Sequence, residues 1–181
     1  GKRLSADVIN ISEYSSSSVK GENLIDTALN LEAMHPDIMV VRHSLSGIPE
    51  MLSQFVECPI INAGDGYHEH PTQALLDLQT IREAKGTLMG LNVVIVGDIA
   101  HSRVVRSNIY AMKTMGMHVK LIGPPTMIPL GIENMGVSVG YNLEDSIKGM
   151  DVIMMLRLQK ERQSKYLLSS IREYSNLYCF K

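Results

Sequence analysis

The chain has 181 residues, 45% of them hydrophobic and 20% charged, with a formal net charge of −2. That composition belongs to a globular protein with room for one good core or two small lobes, and it carries no single-residue bias that would suggest disorder. A slightly acidic chain has no global attraction for nucleic acid or an anionic membrane, so anion binding has to come from local clusters. The apolar runs at 93–96 and 152–156 are far too short to span a bilayer, and no signal peptide precedes the first predicted strand. Only Cys58 and Cys179 occur, outside any C-x-x-C, so neither zinc nor a disulfide scaffold is implied and a reduced, cytoplasmic setting is expected. The chain starts at Gly1-Lys2-Arg3-Leu4, which reads as the inside or end of a helix. It stops at Tyr178-Cys179-Phe180-Lys181, which reads as the start of a buried strand. Both ends point to a piece of a longer polypeptide.

Short β-rich apolar runs alternate with helical-period segments, the pattern of βαβ units around a parallel sheet. Residues 7–11 read as a first strand, followed by a polar loop over 14–21 that contains the serine run 15–18. Leu24, Ala28 and Leu31 at i, i+4 and i+7 predict a helix over 22–34. Next come a strand at 37–42, a short helix at 48–56 and a strand at 59–62. The turn signal Ala63-Gly64-Asp65-Gly66 leads into a long helix over 71–84, with Pro71 in the first turn, where its missing N–H costs nothing. Lys85-Gly86 closes that helix and the pattern restarts: strand 92–96, helix 104–115, strand 118–122, a proline-broken loop, strand 137–141, short helix 143–148 and strand 151–156. The expected fold is α/β, two parallel-sheet lobes (1–85 and 86–181) joined by the long helix, the second lobe Rossmann-like. Met34, Met39, Met112, Met115, Met154 and Met155 read as core filling.

In open parallel sheets ligands bind beyond the carboxyl ends of the strands. Arg42 ends one predicted strand, His70 follows the loop after another, Arg103 lies in the turn after 92–96, and Arg157 directly follows 151–156. Lys20 lies in the serine and glycine loop. This predicts a cationic cleft between two lobes, suited to substrates that carry several negative charges, because guanidinium matches carboxylate and phosphate with a rigid fork. The chain has no G-x-S-x-G, H-E-x-x-H or P-loop lysine motif, so catalysis by positioning and electrostatic stabilisation is expected, with no cofactor and no metal. His43 and His101 read as neighbours of the site, and His35 and His118 as surface or packing residues. Asp65 and Asp98 sit beside glycines, where an Asx-turn accounts for them.

Four segments carry a family resemblance. Ser16-Ser17-Ser18-Val19-Lys20-Gly21-Glu22 resembles the catalytic loop of aspartate carbamoyltransferases, and Val41-Arg42-His43 their carbamoyl-phosphate arginine segment. Asn62-Ala63-Gly64-Asp65-Gly66 with His70-Pro71-Thr72-Gln73-Ala74-Leu75-Leu76-Asp77 is similar to the most recognisable stretch of the family. Gly97-Asp98, His101-Ser102-Arg103-Val104 and Leu156-Arg157-Leu158-Gln159-Lys160-Glu161-Arg162 resemble its aspartate-binding segments. The His-Pro-x-Gln pattern alone speaks for transcarbamoylases in general, whereas Arg157-x-Gln159 with the Gly97-Asp98 turn points to aspartate rather than ornithine.

The resemblance implies transfer of the carbamoyl group of carbamoyl phosphate to L-aspartate, in pyrimidine synthesis. Arg42 would contact the phosphate and the carbonyl oxygen, His70 would donate to that oxygen, and Gln73 would hold the carbamoyl amide. Arg103, Arg157 and Gln159 would hold the aspartate carboxylates, and Lys20 and Ser16 would reach a site in the neighbouring subunit of a homotrimer. It leaves open the attachment of a regulatory chain or a dihydroorotase. The family's Ser-Thr-Arg-Thr-Arg and His-Pro-Leu-Pro-type segments are absent from this sequence, which leaves the activity of the chain by itself in question. The alternatives are an ornithine-type transcarbamoylase, a non-catalytic scaffold relative, and a dinucleotide-dependent oxidoreductase. The last lacks its G-x-G-x-x-G at 97–102.

Overall fold

The computed structural model describes residues 3, 5–11, 23–159 and 170–178. By packing, the chain divides into two compact units, residues 1–41 with 47–61, and residues 42–46 with 62–181. The division falls inside two strands, earlier than the change of sequence pattern near 85–90.

The first unit contains helix α1 (Leu24–Glu32) and the short helix α2 (Ile48–Leu52). Asn23 caps α1 by accepting the backbone N–H of Ile25. Its small core is Ala28, Leu52 and Val56, with Leu24, Ile25 and Met51 packed against them. Glu32 at the end of α1 accepts the backbone N–H groups of Glu57 (2.6 Å) and Cys58 (2.9 Å), which fixes the approach to the next strand. Strands β1 (Met39–His43) and β2 (Ile60–Asp65) form a two-stranded sheet.

The second unit is built on a four-stranded sheet in the order β5-β4-β3-β6, parallel throughout: β3 (Asn92–Val96), β4 (His118–Ile122), β5 (Ser138–Gly140) and β6 (Val152–Met155). Val93 to Val96 are all fully buried, as a central strand covered on both faces requires. Val93 and Ile95 face Val105, Ile109 and Met112 of helix α4 (Arg103–Thr114) and Leu78 and Ile81 of helix α3 (Pro71–Lys85). Val94 and Val96 face the opposite way, onto Leu143 of α5 (Leu143–Ser146) and Tyr174 and Tyr178 of α6 (Ile171–Tyr178). Because α3 shares a core with α4, residues 62–85 pack with the later part of the chain. Gly86, in the left-handed conformation at φ 77°, closes α3.

The α/β class and the element order agree with the sequence reading, and three expectations do not. Residues 7–11 form no strand: Val8, Ile9 and Ile11 are exposed, and no described strand pairs with them. A β-rich run becomes a strand only where a neighbouring edge takes up its N–H and C=O groups. Tyr178 ends helix α6 and does not open a strand, because Tyr174 and Tyr178, one helical turn apart, both turn onto the sheet; residues 179–181 lie outside the described residues. Of the methionines read as core, Met112 is fully buried, whereas Met34, Met115 and Met155 are exposed. Among the described residues no helix is long and apolar enough to cross a membrane.

Ile95 lies at the centre of this sheet, so Ile95→Ala is expected to cost about 2–5 kcal/mol, from lost transfer energy and the cavity left behind. Urea denaturation followed by circular dichroism measures it.

Candidate active site

All six described candidate residues (Arg42, His70, Gln73, Arg103, Arg157 and Gln159) belong to the second compact unit. Lys20 and Ser16 lie outside the described residues.

The sheet order places a switch point between β3 and β6: β4 and β5 extend the sheet on one side of β3, and β6 returns to the other. Val96 pairs with Met155, so the chain leaves both strands side by side, into Gly97-Asp98 and into Arg157–Gln159. This is the position where open α/β sheets bind ligands. Asp98 is fully buried and ties the two exits together. One of its oxygens lies 2.7 Å from Nδ1 of His101 and accepts the His101 backbone N–H (3.3 Å), and the other accepts the backbone N–H of Gln159 (3.2 Å). Asp98 is therefore more than a turn residue, since it holds the segment that carries Arg157 and Gln159 against the β3 exit. Gln159 is half-buried and its Oε1 is buried without a partner among the described residues, an acceptor still to be used.

Arg103 opens helix α4 and is only 5% exposed, rare for a guanidinium. It donates to the carbonyl of Gly66 (3.3 Å), and its planar group lies flat against Gly64. A Cβ at Gly64 would stand 2.7 Å from the Arg103 Cζ and would displace the guanidinium, and φ there is +131°, so the backbone favours glycine. Gly66 serves a second close approach, donating its N–H to the carbonyl of His43 (3.0 Å), while Tyr67 donates its N–H to Ser46 Oγ. These contacts hold the stretch that follows Arg42 beside the turn that leads to His70.

His70 precedes helix α3 but makes no side-chain cap, so its ring is not spent on the helix end. Its backbone N–H donates to Ser107 Oγ (2.8 Å), and Ser107 donates in turn to Glu69, whose carboxylate is 3.8 Å from Nε of Arg106. Its Nδ1 lies 3.2 Å from the Thr72 hydroxyl. Burial, and then the charges of Arg103 and Arg42, hold the His70 imidazole below its ordinary value of 6.5, against an opposing pull from Asp77. His70 is thus a neutral imidazole in a cationic setting, able to donate one N–H without adding a charge. Gln73, one turn into α3, donates its Nε2 to Asp77 (2.9 Å), and Asp77 is gripped by Asn108 of α4 (2.8 Å).

The described residues thus gather Arg103, His70 and Gln73 around the start of α3, with Arg42 near enough for its charge to act on His70, and carry Arg157 and Gln159 on the β3–β6 exit. Among the described residues no cluster of histidine, cysteine and acidic side chains could hold a metal ion.

Two family models cover the sequence in tandem: the carbamoyl-phosphate-binding domain of aspartate/ornithine carbamoyltransferases matches residues 1–83, and their Asp/Orn-binding domain residues 89–180. The chain belongs to the aspartate/ornithine carbamoyltransferase family. It is similar to the aspartate carbamoyltransferase catalytic subunits of Syntrophus aciditrophicus (62% identity, covering 99% of this chain and 58% of the relative) and Geobacter sulfurreducens (58% identity, 98% and 57%). It thus spans a little over half the length of these carbamoyltransferases. Among solved structures it resembles the catalytic subunit of M. jannaschii aspartate transcarbamoylase (TM-score 0.79, 35% identity, 97% of this chain and 58% of that one). It also resembles Trypanosoma cruzi aspartate transcarbamoylase in complex with carbamoyl phosphate and aspartate (TM-score 0.78, 31% identity, 87% and 57%). The fold is accordingly that of the transcarbamoylases.

The resemblance assigns roles to Arg42, His70, Gln73, Arg103, Arg157 and Gln159 but none to the groups that hold them: Asp77 and Asp98, which lie inside the resembling segments, and Glu69, Ser107 and Asn108, which lie outside them. Only the i, i+4 spacing of Gln73 and Asp77 is a local signal.

The His70 ring is expected to titrate below 6.5 and to be neutral at pH 7. Because Arg103 helps depress it, Arg103→Leu should move the midpoint upward. Histidine-selective NMR across pH 4–8 on the full-length protein reads both, and an unmoved midpoint would contradict the electrostatic account.

Proposed function

We propose that this chain carries the site of an aspartate carbamoyltransferase, which transfers the carbamoyl group of carbamoyl phosphate to the amine of L-aspartate to give N-carbamoyl-L-aspartate and phosphate. The observation that carries the reading is His70, held neutral beside Arg42 and Arg103 and free of helix-capping duty. As the aspartate amine attacks the carbamoyl carbon, negative charge grows on the carbonyl oxygen. A fixed cation (Arg42) and a neutral N–H (His70 Nε2, with Nδ1 accepting from Thr72) are suited to stabilise it. The tetrahedral species then expels phosphate, and the amine gives up its proton.

Arg103, Arg157 and Gln159 hold the two carboxylates of aspartate in this reading, and the tie from Asp98 to the Gln159 backbone supports that role for the 157–159 segment. The relatives are named as aspartate enzymes, and one similar structure contains aspartate, which favours this acceptor over ornithine. Lys20 and Ser16 act on a neighbour's site in a homotrimer, and the protein works in the cytoplasm, in pyrimidine synthesis. The lobes are residues 1–85 and 86–181, a division supported by the limits of the two family matches.

The test is carbamoyl-aspartate formation by the full-length protein, with ornithine as the control acceptor. Arg42→Ala should lower kcat by about 10²–10³-fold, the usual loss for one oxyanion donor. Arg157→Ala should chiefly raise KM for aspartate. Turnover with ornithine alone, or equal losses in both parameters at both positions, would refute this assignment.

A further inference from the structure

We propose that Asp77 is a positioning residue: clamped by Asn108, it fixes which end of the Gln73 amide faces the substrate and so makes the site select a carbamoyl nitrogen. The proposal rests on the reading of Gln73 as the group that holds the carbamoyl moiety.

The geometry runs inward from the most buried member. Asn108 is fully buried on α4, and its Nδ2 has two acceptors, the Val104 carbonyl (3.1 Å) and Asp77 Oδ2 (2.8 Å). Its Oδ1 has no partner among the described residues. Turning the amide over would set an oxygen against two acceptors, so the orientation of Asn108 is determined. One oxygen of Asp77 is thereby occupied, and the carboxylate is fixed relative to α4. The other oxygen, Oδ1, faces Gln73 Nε2 at 2.9 Å. An ionised carboxylate only accepts, so it can face only the NH₂ end of Gln73. The Gln73 carbonyl oxygen is left for the ligand.

That oxygen can accept from an N–H but cannot bind a methyl group or a second carbonyl. The arrangement therefore distinguishes carbamoyl phosphate from acetyl phosphate, which has the same phosphate and carbonyl but a methyl in place of NH₂. A site built around a substrate N–H rejects the analogue that lacks it, because its own polar group is then left unpaired. A tie that merely joined α3 to α4 would not sense this difference. Asp77 also opposes Arg103 and Arg42 at His70, so its charge reaches the histidine assigned to the carbonyl end.

The experiment measures binding of carbamoyl phosphate and acetyl phosphate to the full-length protein by calorimetry. In Asp77→Asn the Asn108 N–H still claims the side-chain oxygen, so the new NH₂ faces Gln73 and turns its amide over. Affinity for carbamoyl phosphate should fall by about tenfold or more while that for acetyl phosphate stays within about twofold. In a Gln73→Ala background Asp77→Asn should not change the ratio further. An unchanged ratio in a folded Asp77→Asn protein overturns the proposal and leaves the catalytic reading standing. Failure of the wild-type protein to bind carbamoyl phosphate takes down both. Should Asp77→Asn not fold, hydrogen exchange of the glutamine-labelled wild-type protein decides: slow exchange of the Gln73 side-chain NH₂ supports the clamp, and exchange as fast as a solvated amide overturns it.

Discussion

A buried guanidinium organises this site. Arg103 is placed by the first turn of α4 against the backbone at Gly64 and Gly66, where water is largely excluded. Burying a cation is costly unless its surroundings compensate. Here part of the compensation is the Gly66 carbonyl, reached by a guanidinium that lies where a side chain on Gly64 would stand. Once Arg103 is seated, the turn over 64–66 has its shape, the 43–46 stretch is docked on that turn, and His70 emerges into a region that is already positive. The preference of His70 for its neutral form follows from that placement.

A second layer of contacts turns placement into orientation. Ser107 and Asn108 project from α4 towards the start of α3, one holding the His70 backbone and the other the Asp77 carboxylate. The inner face of the same helix carries Val105, Ile109 and Met112 into the core. One helix thus divides its circumference between packing and the site. Sites supported by such rigid elements hold their geometry more closely than sites carried on loops alone.

The sequence made the scaffold legible wherever burial follows a period. Strand β3 is a continuous apolar run, β4 carries Val119, Leu121 and Ile122 into the core, α3 and α4 carry periodic apolar faces, and their limits could be read to within a residue or so. Residues 7–11 misled because their β-rich composition says nothing about whether a partner edge is present. Tyr178 misled because a short apolar run at a chain end does not reveal whether its period is two or nearly four. Met34 and Met115 lie just past the ends of α1 and α4, and Met155 ends β6 on an exposed face, since periodicity gives neither the last turn of a helix nor what covers a strand. At the site, the residues given roles were legible, whereas the ties that hold them were not. The ties from Asn108 to Asp77, Ser107 to His70 and Gln159 to Asp98 span 31, 37 and 61 positions along the chain, and no local pattern encodes such pairs.

The fully buried Asp98 joins two stretches of chain that lie far apart in sequence, the turn containing His101 and the strand exit containing Gln159. A shared carboxylate makes these stretches a single mechanical part. A substitution that shifts the exit after β6 must also pull on the histidine turn, and any redesign of 157–159 would have to be accommodated at 98–101. The turn after β3 and the exit after β6 therefore form a pair of loops that must be exchanged together, not one that can be replaced by itself.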